Sequence, residues 1–263
     1  MPLLEGLTSG VLAEVGEGPA APIHVTGKSM PYQDAESKGK GGHYKLYATT
    51  GQMAAAQWGA GNELFRFRWH GGNFAKGDFF RQEKYCVITK IKVCCMVGTT
   101  LFAAGGVHAR ISLSKCRHWI DFGTPGGTTI TIGDSCKSRS DMARSLQPEI
   151  AIASTTVLAV TGSKFTEASA IAALAGAFPI TASTQPTVII PWTTLYSASA
   201  FHNGFHPLHL TATPYLRSRS STLTADGVHG SGFLIAVDQN APATGVFQFA
   251  FQIEWAELPF GSY

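Results

Sequence analysis

Three histidines come nearest to a chemical site. His202, His206 and His209 fall within "HNGFHPLH" (202–209). Imidazoles four residues apart on a helix can hold a zinc ion from one face. Gly204 and Pro207 break a helix at this place, and no glutamate stands between the histidines to serve as a base. On extended backbone the three side chains would scatter over different faces, so a loop leading into a strand is the better reading. The glycine clusters "GTPGGTT" (123–129) and "GKGG" (39–42) lack the Lys-Ser/Thr of a phosphate-binding loop and are expected to be turns. No G-x-S-x-G occurs, no spacing selects a Ser-His-Asp triad, and "GVHARIS" offers one histidine without a partner for a jelly-roll oxygenase. The cysteines, at 86, 94, 95, 116 and 136, are odd in number and form no C-x-x-C. They suit neither a disulfide framework nor a zinc site, and free, mostly buried thiols in a reducing compartment are expected. The residues therefore point away from an enzyme, with no catalytic group, metal or cofactor expected.

What remains is a constellation of basic and aromatic residues. In "NELFRFRWH" (62–70), period-2 alternation puts Leu64, Arg66 and Arg68 on one face and Phe65, Phe67 and Trp69 on the other. In "YCVITKIKVCCMV" (85–97), Lys90 and Lys92 share a face with Cys86, Ile88, Cys94 and Met96. If the two strands pair, Arg66, Arg68, Lys90 and Lys92 make a cationic patch that would bind nucleic-acid phosphates without sequence preference and with strong salt dependence. The competing use of these side chains is ion pairing with carboxylates of a neighbouring subunit, or simple solvation. The chain carries a net charge of +3, concentrated here: residues 62–92 hold seven Lys/Arg against three Asp/Glu. Residues 151–263 hold three against five, and the first 60 hold four against five.

The elements that must position these residues are strands. Of 263 residues, 44% are hydrophobic and only 14% charged, and Gly, Ala, Ser and Thr abound. Low charge suits a surface spent on contacts with other subunits. Residues 1–41 carry no sustained period and are expected to form an extended arm; 42–263 are expected to form a single domain. Alternation marks strands at 42–50, 62–70, 85–97, 107–116, 128–132, 149–162, 186–192, 206–216 and 231–239. The Ala-rich "KFTEASAIAALAGAF" (164–178) is predicted to be a short helix in a long loop. The closing segment "TGVFQFAFQIEWAELPF" (244–260) lines Phe247, Phe249, Phe251, Ile253 and Trp255 along one face. Burying five such side chains contributes on the order of 10 kcal/mol, as a central core strand would. No βαβ rhythm appears, so an all-β, antiparallel two-sheet sandwich is predicted, with the eight-stranded viral jelly roll as its best form. The N-terminus has no secretory-signal pattern, and no apolar run reaches the length of a membrane-spanning helix.

Three stretches carry a resemblance. "LFRFRWHGGNFAKGDFFRQEKYCVITKIKVCC" resembles the region of circovirus-like capsid proteins in which a strand, a loop and a basic–aliphatic strand follow one another. "HPLHLTATPYL" is similar to the next-to-last strand of those proteins, and "GVFQFAFQIEWAEL" to their closing strand. The match covers about a third of the chain. It implies a coat protein of a small virus with a circular single-stranded DNA genome: a homo-oligomer of many copies forming an icosahedral (T=1) shell. Its long loops would make the outer surface and subunit contacts. Its partners would be the viral genome (single-stranded DNA, with RNA the alternative) and a host receptor; its place would be the virion and, during assembly, the host cell interior. The chain departs from the family at the start. Residues 1–41 hold only Lys28, Lys38 and Lys40 as bases, against Glu5, Glu14, Glu17, Asp34 and Glu36, where the family has an arginine-rich arm. The alternative function is a non-catalytic jelly-roll binding module, lectin-like or receptor-binding, in which Trp58, Trp119 and Trp192 would stack on sugar.

Overall fold

The computed structural model describes residues 3–5, 12–15, 23–26, 42–69, 84–98, 108–121, 127–137, 145, 148–158, 164–177, 187–198, 208–210, 231–240 and 244–259. Near the N-terminus, β1 (Leu3–Glu5), β2 (Leu12–Val15) and β3 (Ile23–Thr26) form a small antiparallel sheet of their own. The remaining strands are β4 (Gly42–Thr49), β5 (Met53–Ala54), β6 (Glu63–Arg68), β7 (Lys84–Val97), β8 (His108–Asp121) and β9 (Thr128–Ile130). They continue with β10 (Glu149–Ile152), β11 (Lys164–Ala177), β12 (Thr187–Ser197), β13 (His209–Leu210), β14 (Gly232–Val237) and β15 (Val246–Pro259). The described fold is all-β, with two antiparallel sheets of six strands each. One, the β15 sheet, runs β12-β7-β15-β4, with β13 added beside β7 and β5 beside β15. The other, the β14 sheet, runs β11-β8-β14-β6-β10-β9.

The sheets face each other across an aromatic layer, as in a sandwich. Phe247, Phe249, Phe251, Ile253 and Trp255 of β15 are all fully buried. From the other sheet, Phe65 lies 5.3 Å from Phe251 and Phe67 lies 5.9 Å from Trp255, centroid to centroid. Phe233 of β14 stacks on both Phe65 and Phe67. Trp58 closes one end of the layer, 4.7 Å from Phe247 and 5.2 Å from Phe249. Such ring pairs add about 0.5–1.5 kcal/mol each beyond the area they bury.

Two details correct the expectations from sequence. The segment 164–177 is a strand, β11, and not a helix; it pairs with β8 from Lys164–Asp121 to Ala177–His108. Alanine's helix propensity is worth a few tenths of a kcal/mol per residue, and an edge position beside a long strand overrides it. Ile171, Ala172 and Leu174 pack against the core. At Gly176 a Cβ would collide with the backbone carbonyl oxygen of Ile189, so only glycine admits this approach of β11 to β12. The second correction concerns β7. Its register on β15 jumps between Glu254–Lys90 and Trp255–Ile88, leaving Thr89 as the extra residue of a bulge. The inward set is therefore Ile91, Val93, Cys95 and Val97 beyond the bulge, and Cys86 and Ile88 before it, all fully buried.

Candidate nucleic-acid interface

The four cations singled out by the sequence do not form one patch. β6 and β7 belong to different sheets, so Arg66 and Arg68 are on one side of the sandwich and Lys90 and Lys92 on the other. The two pairs also differ in environment. Arg66 is fully buried, and its Nε donates to the Glu63 carboxylate. Burial pushes the Glu63 carboxyl above the usual carboxylate range, and the Arg66 guanidinium draws it part of the way back. Arg68 pairs with Glu149, its cross-strand neighbour on β10. Arg110 of β8 lies 3.2 Å from Asp238, just past the end of β14. These three arginines of the β14 sheet each meet a carboxylate of the same chain.

The outward face of the β15 sheet is built differently. Alternation along β7 beyond the bulge turns Lys90, Lys92, Cys94 and Met96 away from the core. Glu254 of β15 lies directly across from Lys90 on one side and Lys45 of β4 on the other. It ion-pairs with Lys45, whose Nζ is 3.5 Å away. The next row across the sheet is Tyr47, Gln252, Lys92 and Thr194. Lys45 Nζ also lies 4.9 Å from the centre of the Tyr47 ring. A hydrogen bond with Tyr47 and the nearby Glu254 carboxylate raise the Lys45 ammonium above the ordinary lysine range. Lys90 and Lys92 have no carboxylate within ion-pairing distance among the described residues. Along the described outward positions of these four strands, three lysines thus stand against one glutamate. Tyr47 is 61% exposed, and Trp192, at a bulge of the edge strand β12, is 51% exposed. This face can bind a polyanion: flexible ammonium groups meet phosphates as point charges, and flat rings present stacking surfaces.

Lys90 and Lys92 were legible as outward cations in the sequence, whereas Lys45 and Tyr47 were missed. Their signal was present, since "GHYKLYATT" alternates Tyr44, Leu46 and Ala48 against Lys45 and Tyr47. What alternation could not supply was the neighbour: β4 reaches this face through β15, at the opposite end of the chain.

The other candidates are dispersed. His202 and His206 lie outside the described residues, and His209 sits in β13 opposite Val87. Among the described residues no three of His, Cys, Asp and Glu are grouped to hold a metal. All five cysteines are free and buried, and burial pushes the thiols of Cys86, Cys94, Cys95 and Cys116 up, away from the reactive thiolate. Trp58 belongs to the core and Trp192 is exposed on β12, so these two share no common surface; Trp119 is placed by its backbone on β8. No helix of the described residues is long and apolar enough to cross a membrane. Comparison with protein families, curated proteins and solved structures finds no match.

Proposed function

We propose that the chain is a coat protein, a jelly-roll subunit that assembles in many copies into a closed icosahedral shell around a nucleic-acid genome. One observation carries this reading: the pairing of the eight main strands β4, β6, β7, β8, β11, β12, β14 and β15. Numbered one to eight in that order, the first pairs with the eighth, the second with the seventh, the third with the sixth and the fourth with the fifth. A long antiparallel ribbon made of those four pairs, rolled up once, brings the eighth beside the third and the seventh beside the fourth. Both contacts are present, as β15–β7 and β14–β8. The pattern supports the double Greek key of a jelly roll, with β9 and β10 widening one sheet and β5 and β13 trimming the other. Viral shells use that architecture repeatedly, and it agrees with the strand motifs that resemble circovirus-like capsid proteins.

Charge supports the second half of the reading. Lys90 and Lys92 of the β15 sheet are cations without a carboxylate in ion-pairing reach among the described residues, as a contact with genome phosphates requires. The proposed role is structural and binding, with no catalytic step. Sedimentation velocity of the purified protein, read at 260 and 280 nm together, tests it. The expected result is a fast boundary in the megadalton range with excess absorbance at 260 nm. A boundary of monomer to trimer at every salt and pH would overturn the shell reading.

A further inference from the structure

We infer that the outward face of the β15 sheet binds single-stranded nucleic acid by stacking unpaired bases on Tyr47 and Trp192 while Lys45, Lys90 and Lys92 hold the backbone. The inference rests on the nucleic-acid half of the proposed function and goes further by naming the residues that would hold a single strand and how they would do so.

A duplex hides its bases, so a protein reads it through a groove or by its phosphates alone. A broad sheet face such as this meets a duplex mainly through its phosphates. Two large rings left open to solvent gain nothing from such a ligand. Unpaired bases change that, because every base has a π-face and stacking on an aromatic ring tolerates any sequence. Tyr47 sits on β4 and Trp192 on β12, at the two edges of the sheet. Three strand spacings separate those edges, roughly 14 Å, a span of a few nucleotides. Lys92 and Gln252 lie between them, in the row that Tyr47 begins. Lys45 and Lys90 flank that row on one side. Lys92 thus lies between the strands that carry the two exposed rings, with Lys45 and Lys90 beside it. Electrostatic complementarity selects a polyanion, and the exposed rings select one whose bases are free. A second copy of this chain is the competing occupant of Trp192, which lies on an edge strand.

Fluorescence anisotropy of the full chain with labelled oligothymidine of about 20 nucleotides, and with a duplex of the same length, at low salt tests the inference. Tighter binding of the single strand is expected. Tyr47→Ala and Trp192→Ala should each weaken single-strand binding about tenfold and leave duplex binding unchanged. Tyr47→Phe should keep the wild-type affinity, since it keeps the ring. Lys90→Ala/Lys92→Ala should weaken both ligands. Equal affinity for the two ligands, with no loss in Tyr47→Ala, overturns the stacking inference while leaving the lysine face as a phosphate site. Absence of any binding by protein that sedimentation shows to be unassembled, so that the face is reachable, overturns it together with the genome contact. If Trp192→Ala abolishes the fast boundary and leaves oligonucleotide affinity intact, Trp192 is a subunit contact and not a stacking surface for bases, which overturns the inference at that residue.

Discussion

On the β14 sheet positive charge is carried by arginine and answered within the chain; on the β15 sheet it is carried by lysine and largely left open. Arg66, Arg68 and Arg110 meet Glu63, Glu149 and Asp238. Lys45, Lys90 and Lys92 share Glu254, and only Lys45 is paired with it among the described residues. The residue types suit the two tasks. A guanidinium is rigid, weakly hydrated and able to stay charged when buried beside a carboxylate, so it serves inside a fold. An ammonium on a flexible stem stays hydrated until a phosphate arrives. The same formal charge is therefore structural on one side of the sandwich and available for binding on the other.

Substitutions can break that contrast, and the largest effect lies in the layer between the two faces. Phe251→Ala removes the ring that meets Phe65 across the sheets and is expected to cost about 3–5 kcal/mol, read as a fall in denaturant midpoint. Recovery of fully stable protein from this variant would mean that β15 does not hold the aromatic layer. Glu63→Ala comes next. It removes the carboxylate beside the buried Arg66 guanidinium, which cannot shed its charge, and should cost a comparable ~3–5 kcal/mol in the same measurement. Lys90→Ala and Lys92→Ala should behave in the opposite way. Each should shift stability by no more than about 0.5 kcal/mol. Together they should flatten the dependence of log affinity on log salt for a single strand, by about 0.7 for each phosphate that is no longer neutralised. If the lysine variants lost stability and kept their salt slope, the assignment of structural and binding roles would be reversed.

The smallest effect concerns protons. Burial raises the Glu63 pKa in the folded state above its unfolded value of roughly 4.3. Between those two values the folded state holds the extra proton. The stabilisation is full below the unfolded pKa and is lost as pH rises through the folded one. The melting temperature of the wild type relative to Glu63→Gln should therefore rise as pH falls from about 7 towards about 4.5. A difference that stays constant over this window would show that Glu63 does not titrate abnormally.

Much of this was legible in the sequence, for a local reason. Alternation fixes which residues share a face, so Phe247 to Trp255 could be placed in the core and Lys90 and Lys92 outside it without knowing any partner strand. Two features depended on partners and were not legible. The Ala-rich segment 164–177 satisfies a helix on local propensity and becomes β11 only because β8 offers a long open edge, 14 residues matching its own 14. Arg66 and Arg68 follow the same alternation as the lysines and differ only in what faces them: Glu63 through a local contact, Glu149 through β10. The bulge at Thr89 was hidden too, because a one-residue slip leaves no mark in a run where Cys86, Val87 and Ile88 are all apolar.

The contrast between the two sheets is tested most directly by their orientation in the proposed shell. A single-particle reconstruction of the purified, nuclease-treated shell would show which sheet lines the lumen. The expected result places the face bearing Lys45, Lys90 and Lys92 inward, with nucleic-acid density against Tyr47 and Trp192. A shell with that face turned to solvent, and the Arg68–Glu149 face lining the lumen, would contradict it.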